Sequence, residues 1–104
     1  SDREFDIMKT TAVLINACRG PVVDEMALIR AIQNDKIAAV GLDVTDIEPT
    51  PDDNPLLTFD NVLITPHLAA FAQESTARSR AFAVYNTVRV ANGEEPESVV
   101  PPDE

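Results

Sequence analysis

Three residues able to do chemistry each follow an apolar run. Arg19 stands in N-A-C-R-G at 16–20, Glu48 in G-L-D-V-T-D-I-E-P at 41–49, and His67 ends T-P-H at 65–67. In an open parallel α/β sheet, ligands bind outside the carboxyl ends of the strands. A guanidinium, a carboxylate and an imidazole delivered to one such edge could grip and protonate a small oxyacid.

The elements that must deliver them are legible in the pattern. Residues 4–10 read as the end of a helix with Phe5 and Met8 on one face. Ala12 to Ala17 is a short β-branched run without alternation, which predicts a strand buried on both faces. Gly20-Pro21 then turns the chain. Asp24 is placed to cap a helix, with Val23 and Leu28 at staple positions, and Leu28, Ala31 and Ile32 recur at helical spacing up to Asn34-Asp35. Ile37 to Val44 predicts a second strand and Val62 to Thr65 a third. Between them, Pro49, Pro51 and Pro55 beside Asp52, Asp53 and Asn54 demand a loop. From Gln73 to Ala91 the period becomes helical, with Ala77, Ala81, Val84, Tyr85 and Val88 as a stripe and Asn92-Gly93 as the stop signal. An extended tail with Pro96, Pro101 and Pro102 follows. Apolar strands alternating with helices imply a parallel sheet with right-handed crossovers. Met8, Phe59, Phe71, Phe82 and Tyr85 read as core or interface residues.

Composition narrows the function. The chain has 104 residues, room for one small domain, and a formal net charge of -10. Six acids and no Lys or Arg lie between Asp43 and Asp60, and five more acids without a base lie between Gly93 and Glu104. Both read as solvated segments. So acidic a chain argues against binding nucleic acid or anionic membrane, and no apolar run approaches the roughly 20 residues that span a bilayer. One cysteine, Cys18, excludes an internal disulfide and fits a reducing cytoplasm; one histidine excludes a His/Cys zinc cluster, and no metal is expected. The chain starts at Ser1, inside an apparent helix, and is expected to be a processed or truncated piece.

On residue chemistry alone, each candidate has a plainer role. Arg19 could pair with Asp43 or Asp24 on the surface, His67 could simply end a strand, Asp43 could cap a turn, and Asp46, Asp52 and Asp53 compete with Glu48. The linked motifs weigh against the plainer roles. M-K-T-T-A-V-L-I-N-A-C-R-G-P-V-V-D-E, then G-L-D-V-x-x-x-E-P, then N-V-L-I-T-P-H resemble, in this order, three segments of the D-isomer-specific 2-hydroxyacid dehydrogenases.

The resemblance implies a partial Rossmann-like parallel sheet of about three strands with flanking helices, a fragment of a doubly wound nucleotide-binding domain. Residues 1–72 would be the C-terminal half of an NAD(P)-binding domain, and 73–104 a long helix and tail returning to a substrate domain. The only glycines are Gly20, Gly41 and Gly93, so no G-x-G-x-x-G is present. The pyrophosphate loop, and the residues that choose NAD or NADP and the oxyacid, are expected before Ser1.

The resemblance further implies roles. Arg19 would anchor the carboxylate of a small 2-hydroxy or 2-oxo acid, and His67 would be the general acid/base. Glu48 would sit against His67, because the family's acid precedes the proline, here Pro49. Thr45-Asp46-Ile47 stands where many relatives carry an aromatic and a further acid, which leaves Asp46 as runner-up. Asp43 resembles the residue that bonds the nicotinamide carboxamide. Ala17, Cys18, Arg19, His67 and the backbone from Leu68 through Ala69 to Ala70 would approach the cofactor. Cys18 departs from the commoner small residue there. The implied activity is NAD(P)-dependent hydride transfer at a CH–OH carbon, with the 104 residues inactive alone and completed in a homodimer or by the missing half of the domain. The rival readings are an NAD-sensing co-repressor-like module and an inactive remnant.

Overall fold

A computed structural model of the chain describes residues 1–99. They form two compact units, Ser1–Ala69 and a second beginning at Ala70.

The first unit is a three-stranded parallel sheet in the order β1 (Val13–Asn16), β2 (Ala39–Leu42), β3 (Val62–Ile64), with α1 (Asp2–Ile7) and α2 (Glu25–Gln33). This is the parallel sheet that strand–helix alternation predicts, in the partial Rossmann-like arrangement that the family resemblance implies. Asp24 caps α2 as its side chain accepts the Ala27 N–H at 2.9 Å. The helix stops at Asp35, which adopts φ +51° while Lys36 N–H and Asp35 N–H return to the carbonyls of Ala31 and Ile32.

The register sorts the strand residues into two faces. Leu14, Val40 and Val62 form one row, and Asn16, Leu42 and Ile64 the next. These rows join Phe5, Ala27, Leu28, Ile29, Ala31, Ile32, Ile37 and Leu56 in the core, with Met8 and Phe59 half-buried at its edge. Each fully buried aliphatic side chain here, Leu28 among them, contributes about 1.5–3 kcal/mol relative to exposure. The opposite row, Ile15–Gly41–Leu63, is open: Ile15 is 75% exposed and Leu63 68%. The expectation of a first strand buried on both faces is thus corrected, since α1 and α2 cover only one. Each strand is also shorter than its apolar run, because ladder pairing stops where the chain bends into the next turn.

The second unit holds α3 (Gln73–Ala91), which ends at Gly93 with φ +77°. None of its residues is buried, and Phe82, Val84, Tyr85 and Val88 are exposed, as is Phe71 before it. Arg89 lies over the Tyr85 ring, 5.5 Å from its centroid. Pro101 and Pro102, the end of the expected tail, lie outside the described residues. No helix among the described residues is long and apolar enough to cross a membrane.

Candidate active site at the carboxyl ends of the strands

The turn after β1 carries Arg19. Asn16 closes the strand on its helix-covered face and is only 5% exposed. Its Nδ2 donates to the Arg19 carbonyl at 2.9 Å, and its Oδ1 accepts the Cys18 N–H at 3.1 Å. Arg19 itself is exposed, and its guanidinium donates to the Cys18 carbonyl at 2.7 Å. Among the described residues it pairs with neither Asp24 nor Asp43, the surface partners that sequence suggests. Gly20 follows, buried against the next strand's turn; a Cβ at this position would overlap the Thr45 carbonyl. Only glycine lets the two backbones approach so closely.

The turn after β3 carries His67, and Asp43 at the end of β2 organises it. His67 has φ +55°, a left-handed conformation that costs a side-chain-bearing residue roughly 1–2 kcal/mol. Its N–H donates to the carbonyl of Asp43 at 2.9 Å and also lies 3.0 Å from that of Thr65. The left-handed step turns the following amides toward Asp43, so Leu68 N–H reaches Oδ1 and Ala69 N–H reaches Oδ2, each at 2.8 Å. Thr65 Oγ1 donates to Oδ1 at 2.6 Å. These donors, the Thr65 hydroxyl foremost, hold the Asp43 carboxyl below the usual carboxylate range. A carboxylate offers about four acceptor positions, so one remains for a further donor.

Glu48 comes from the acidic loop. Thr45 Oγ1 lies 2.9 Å from both the Ile47 carbonyl and Thr50 Oγ1. Glu25, at the start of α2, accepts the Asp46 N–H at 3.0 Å and Asn54 Nδ2 at 2.8 Å. Asn54 Oδ1 in turn accepts the Leu56 N–H at 2.9 Å. So held, the loop sets Glu48 Oε2 2.7 Å from His67 Nδ1. A carboxylate only accepts, so the proton in this bond lies on Nδ1, and Nε2 has no protein partner among the described residues. Asp46 turns instead toward the start of α2: desolvation, then the charges of Glu25 and Asp24, push its carboxyl up. Neither Asp52 nor Asp53 bonds His67. Of the rival acids, then, only Glu48 meets the imidazole.

Glu48 and His67 share with Asp43 the wall of a cleft of about 540 Å³, with Leu57 and Ile64 as apolar lining. Arg19 stands at the neighbouring strand end, outside that lining. Ala17 and Cys18 are exposed beside it, Ala69 is bound to Asp43 through its N–H, and Ala70 belongs to the second unit. Sequence reasoning missed Asn16, Thr65 and Glu25. Asn two residues before a turn amide is an Asx-turn signal and could have been read. Glu25 bonds Asp46 across 21 residues of chain and has no local signal.

The family model described as D-isomer specific 2-hydroxyacid dehydrogenase, NAD binding domain, matches residues 1–69. Over 99 residues the chain is 48% identical to glyoxylate/hydroxypyruvate reductase B of Enterobacter sp. (strain 638), covering 95% of this chain and 31% of that protein. It is 48% identical over 95 residues to the reductase of the same name from Yersinia pestis (strain Pestoides F), covering 91% of this chain and 29% of that one. The chain thus spans just under a third of the length of these curated relatives. Among solved structures, a D-isomer specific 2-hydroxyacid dehydrogenase from Xanthobacter autotrophicus Py2, in complex with NADPH and MES, aligns with TM-score 0.84 at 42% identity, covering 98% of this chain and 41% of that one. An NADPH-dependent glyoxylate/hydroxypyruvate reductase from Sinorhizobium meliloti, in complex with NADP and malonate, aligns with TM-score 0.80 at 34% identity, covering 96% and 31%.

Proposed function

Because the chain belongs to the D-isomer specific 2-hydroxyacid dehydrogenase family, through its NAD binding domain, we propose that it supplies the substrate-anchoring and proton-transfer residues of an NAD(P)-dependent oxidoreductase. That enzyme interconverts a 2-hydroxy acid and a 2-oxo acid, with glyoxylate and hydroxypyruvate as first candidates. The observation that carries this reading is the bond of 2.7 Å between Glu48 and His67 at the C-terminal edge of the sheet.

The pair is half exposed, and such pairs add little to stability. Its use is orientation. Glu48 fixes the ring through Nδ1 and stabilises the imidazolium, which leaves Nε2 to face a substrate. In reduction, Nε2 gives its proton to the carbonyl oxygen; in oxidation, it takes the hydroxyl proton. Arg19 holds the substrate carboxylate with two parallel N–H donors.

The residues present fit the nicotinamide end of the cofactor. Asp43 keeps one acceptor position for a carboxamide N–H, and the exposed residues Ala17 and Cys18, with Ala69, complete the surface we assign to it. When bound, NAD or NADP supplies the hydride. Residues 1–72 form the nucleotide-binding part in this reading and 73–104 the segment leading to the substrate domain. We further infer a homodimer, or assembly with another part of the domain, supported by the open Ile15–Leu63 face and the unburied α3. A cytoplasmic location is supported by the single unpaired Cys18.

The test is an assay of the intact protein with NADH and NADPH against glyoxylate and hydroxypyruvate. Consumption of reduced cofactor that His67→Gln slows by about 10²–10⁴ is the expected result. An intact protein that binds the cofactor and reduces no 2-oxo acid would overturn the reading.

A further inference from the structure

We infer that Asn16 is a positioning residue for Arg19, aiming the guanidinium from beneath; this rests on the reading in which Arg19 takes the substrate carboxylate. Asn16 occupies a core-facing position, in register with Leu42, in a row otherwise made of aliphatic residues. An amide placed there costs stability unless its polar atoms are satisfied. Both of them are spent on the Arg19 turn, the donor on the Arg19 carbonyl and the acceptor on the Cys18 N–H.

The guanidinium has no ion pair among the described residues and rests only on the Cys18 carbonyl. Where the Arg19 backbone sits therefore decides where the side chain reaches. The Asn16 main chain adds the second half of the argument. Its carbonyl accepts the Asp43 N–H at 2.9 Å, and the Asp43 carbonyl accepts the His67 N–H at 2.9 Å. One short series of bonds thus runs from the Arg19 turn through Asn16 and Asp43 to the His67 turn. It sets the anchor for the carboxylate in register with the acid for the carbonyl, as a two-point grip on one small molecule requires.

The donor to the Arg19 carbonyl is the bond to break. In the intact protein, Asn16→Asp keeps the shape and the acceptor for Cys18 but loses that donor, and Asn16→Ala loses both. Asn16→Asp is expected to lower kcat/KM for a 2-oxo acid about 2- to 13-fold, the weight of one buried hydrogen bond, and Asn16→Ala by at least as much, chiefly through KM. The dissociation constant of NADH or NADPH should change less than about twofold. The deciding measurement is a double-mutant cycle with Arg19→Ala. If Asn16 acts through Arg19, then Asn16→Ala or Asn16→Asp adds no further loss in the Arg19→Ala background. Additive losses, or an unchanged kcat/KM in both single variants, would overturn the inference. If Arg19→Ala alone leaves kcat/KM intact, the underlying reading of Arg19 fails instead, and the two failures are distinct.

Discussion

Glu48 and His67 are 19 residues apart in sequence and 2.7 Å apart in space, Oε2 to Nδ1, across the mouth of a cleft that both line. Neither is placed by its own strand alone. Glu48 is held by a loop tied to α2 through Glu25, and His67 by a left-handed turn tied to Asp43. In the intact protein, the proposed function predicts that His67→Gln lowers kcat by about 10²–10⁴ and leaves cofactor affinity nearly unchanged. Glu48→Gln keeps a hydrogen-bonding group beside His67 Nδ1 but removes the carboxylate. It should lower kcat less than His67→Gln does, because the ring keeps a partner that orients it. A His67→Gln enzyme with near-native kcat would take this pair out of the mechanism.

Arg19→Lys should raise KM and lower kcat/KM for 2-oxo acids. A single ammonium does not reproduce the two-point grip of a guanidinium on a carboxylate. Arg19 has no ion pair among the described residues to lose, so the melting temperature should hardly move. Steady-state kinetics alongside a thermal melt separate the two, and unchanged kinetics would return Arg19 to the surface.

Asp43 makes a pH prediction with a definite sign. Its folded-state pKa lies below its unfolded value, because Thr65 Oγ1 and then the Ala69 and Leu68 amides bond the charged form. The stabilisation is therefore full above the unfolded pKa of about 4 and drains away as pH falls through the folded value. Urea unfolding of wild type and Asp43→Asn from neutral pH down to acid should show a gap in midpoint that narrows below about pH 4. A gap that widens on acidification would reverse the assignment.

Gly20→Ala should fail for a steric reason, since the added Cβ meets the Thr45 carbonyl, which is backbone and has no rotamer to yield. Overpacking of this kind typically costs about 1–3 kcal/mol. It should also separate the Arg19 turn from the loop that carries Glu48. Chemical denaturation should show the loss, and any folded variant should have a reduced kcat/KM. A fully stable, fully active Gly20→Ala would show that the Thr45 turn moves freely.

The open sheet face around Ile15 and Leu63, and the α3 surface bearing Phe82, Tyr85 and Val88, leave apolar side chains in water. At roughly 25 cal/mol per Å², covering such surface is favourable. Light scattering at tens of micromolar should find dimers or larger assemblies. A monodisperse monomer with a cooperative melt would show that the units described are sufficient alone.

Much of this was legible in the sequence because it is local. The Asp24 cap, the α3 limits at Gln73 and Ala91 and the three apolar runs follow from side-chain period and backbone chemistry within a few residues. The strand-end candidates were legible too, because an apolar strand followed by Arg, Glu or His places those groups at a sheet edge whatever the details. What only the tertiary structure decided are relations across distance. Asp46 and Glu48 are two residues apart with the same chemistry, yet the contact of the first with Glu25 and of the second with His67 assign them different surroundings. Asn16 lies within the Ala12–Ala17 run, but only the register puts it on the covered face, where its amide finds partners in the Arg19 turn. The exposed face of β1 corrected the pattern for the same reason: burial belongs to what packs against a strand, and an apolar run records only what the strand can tolerate.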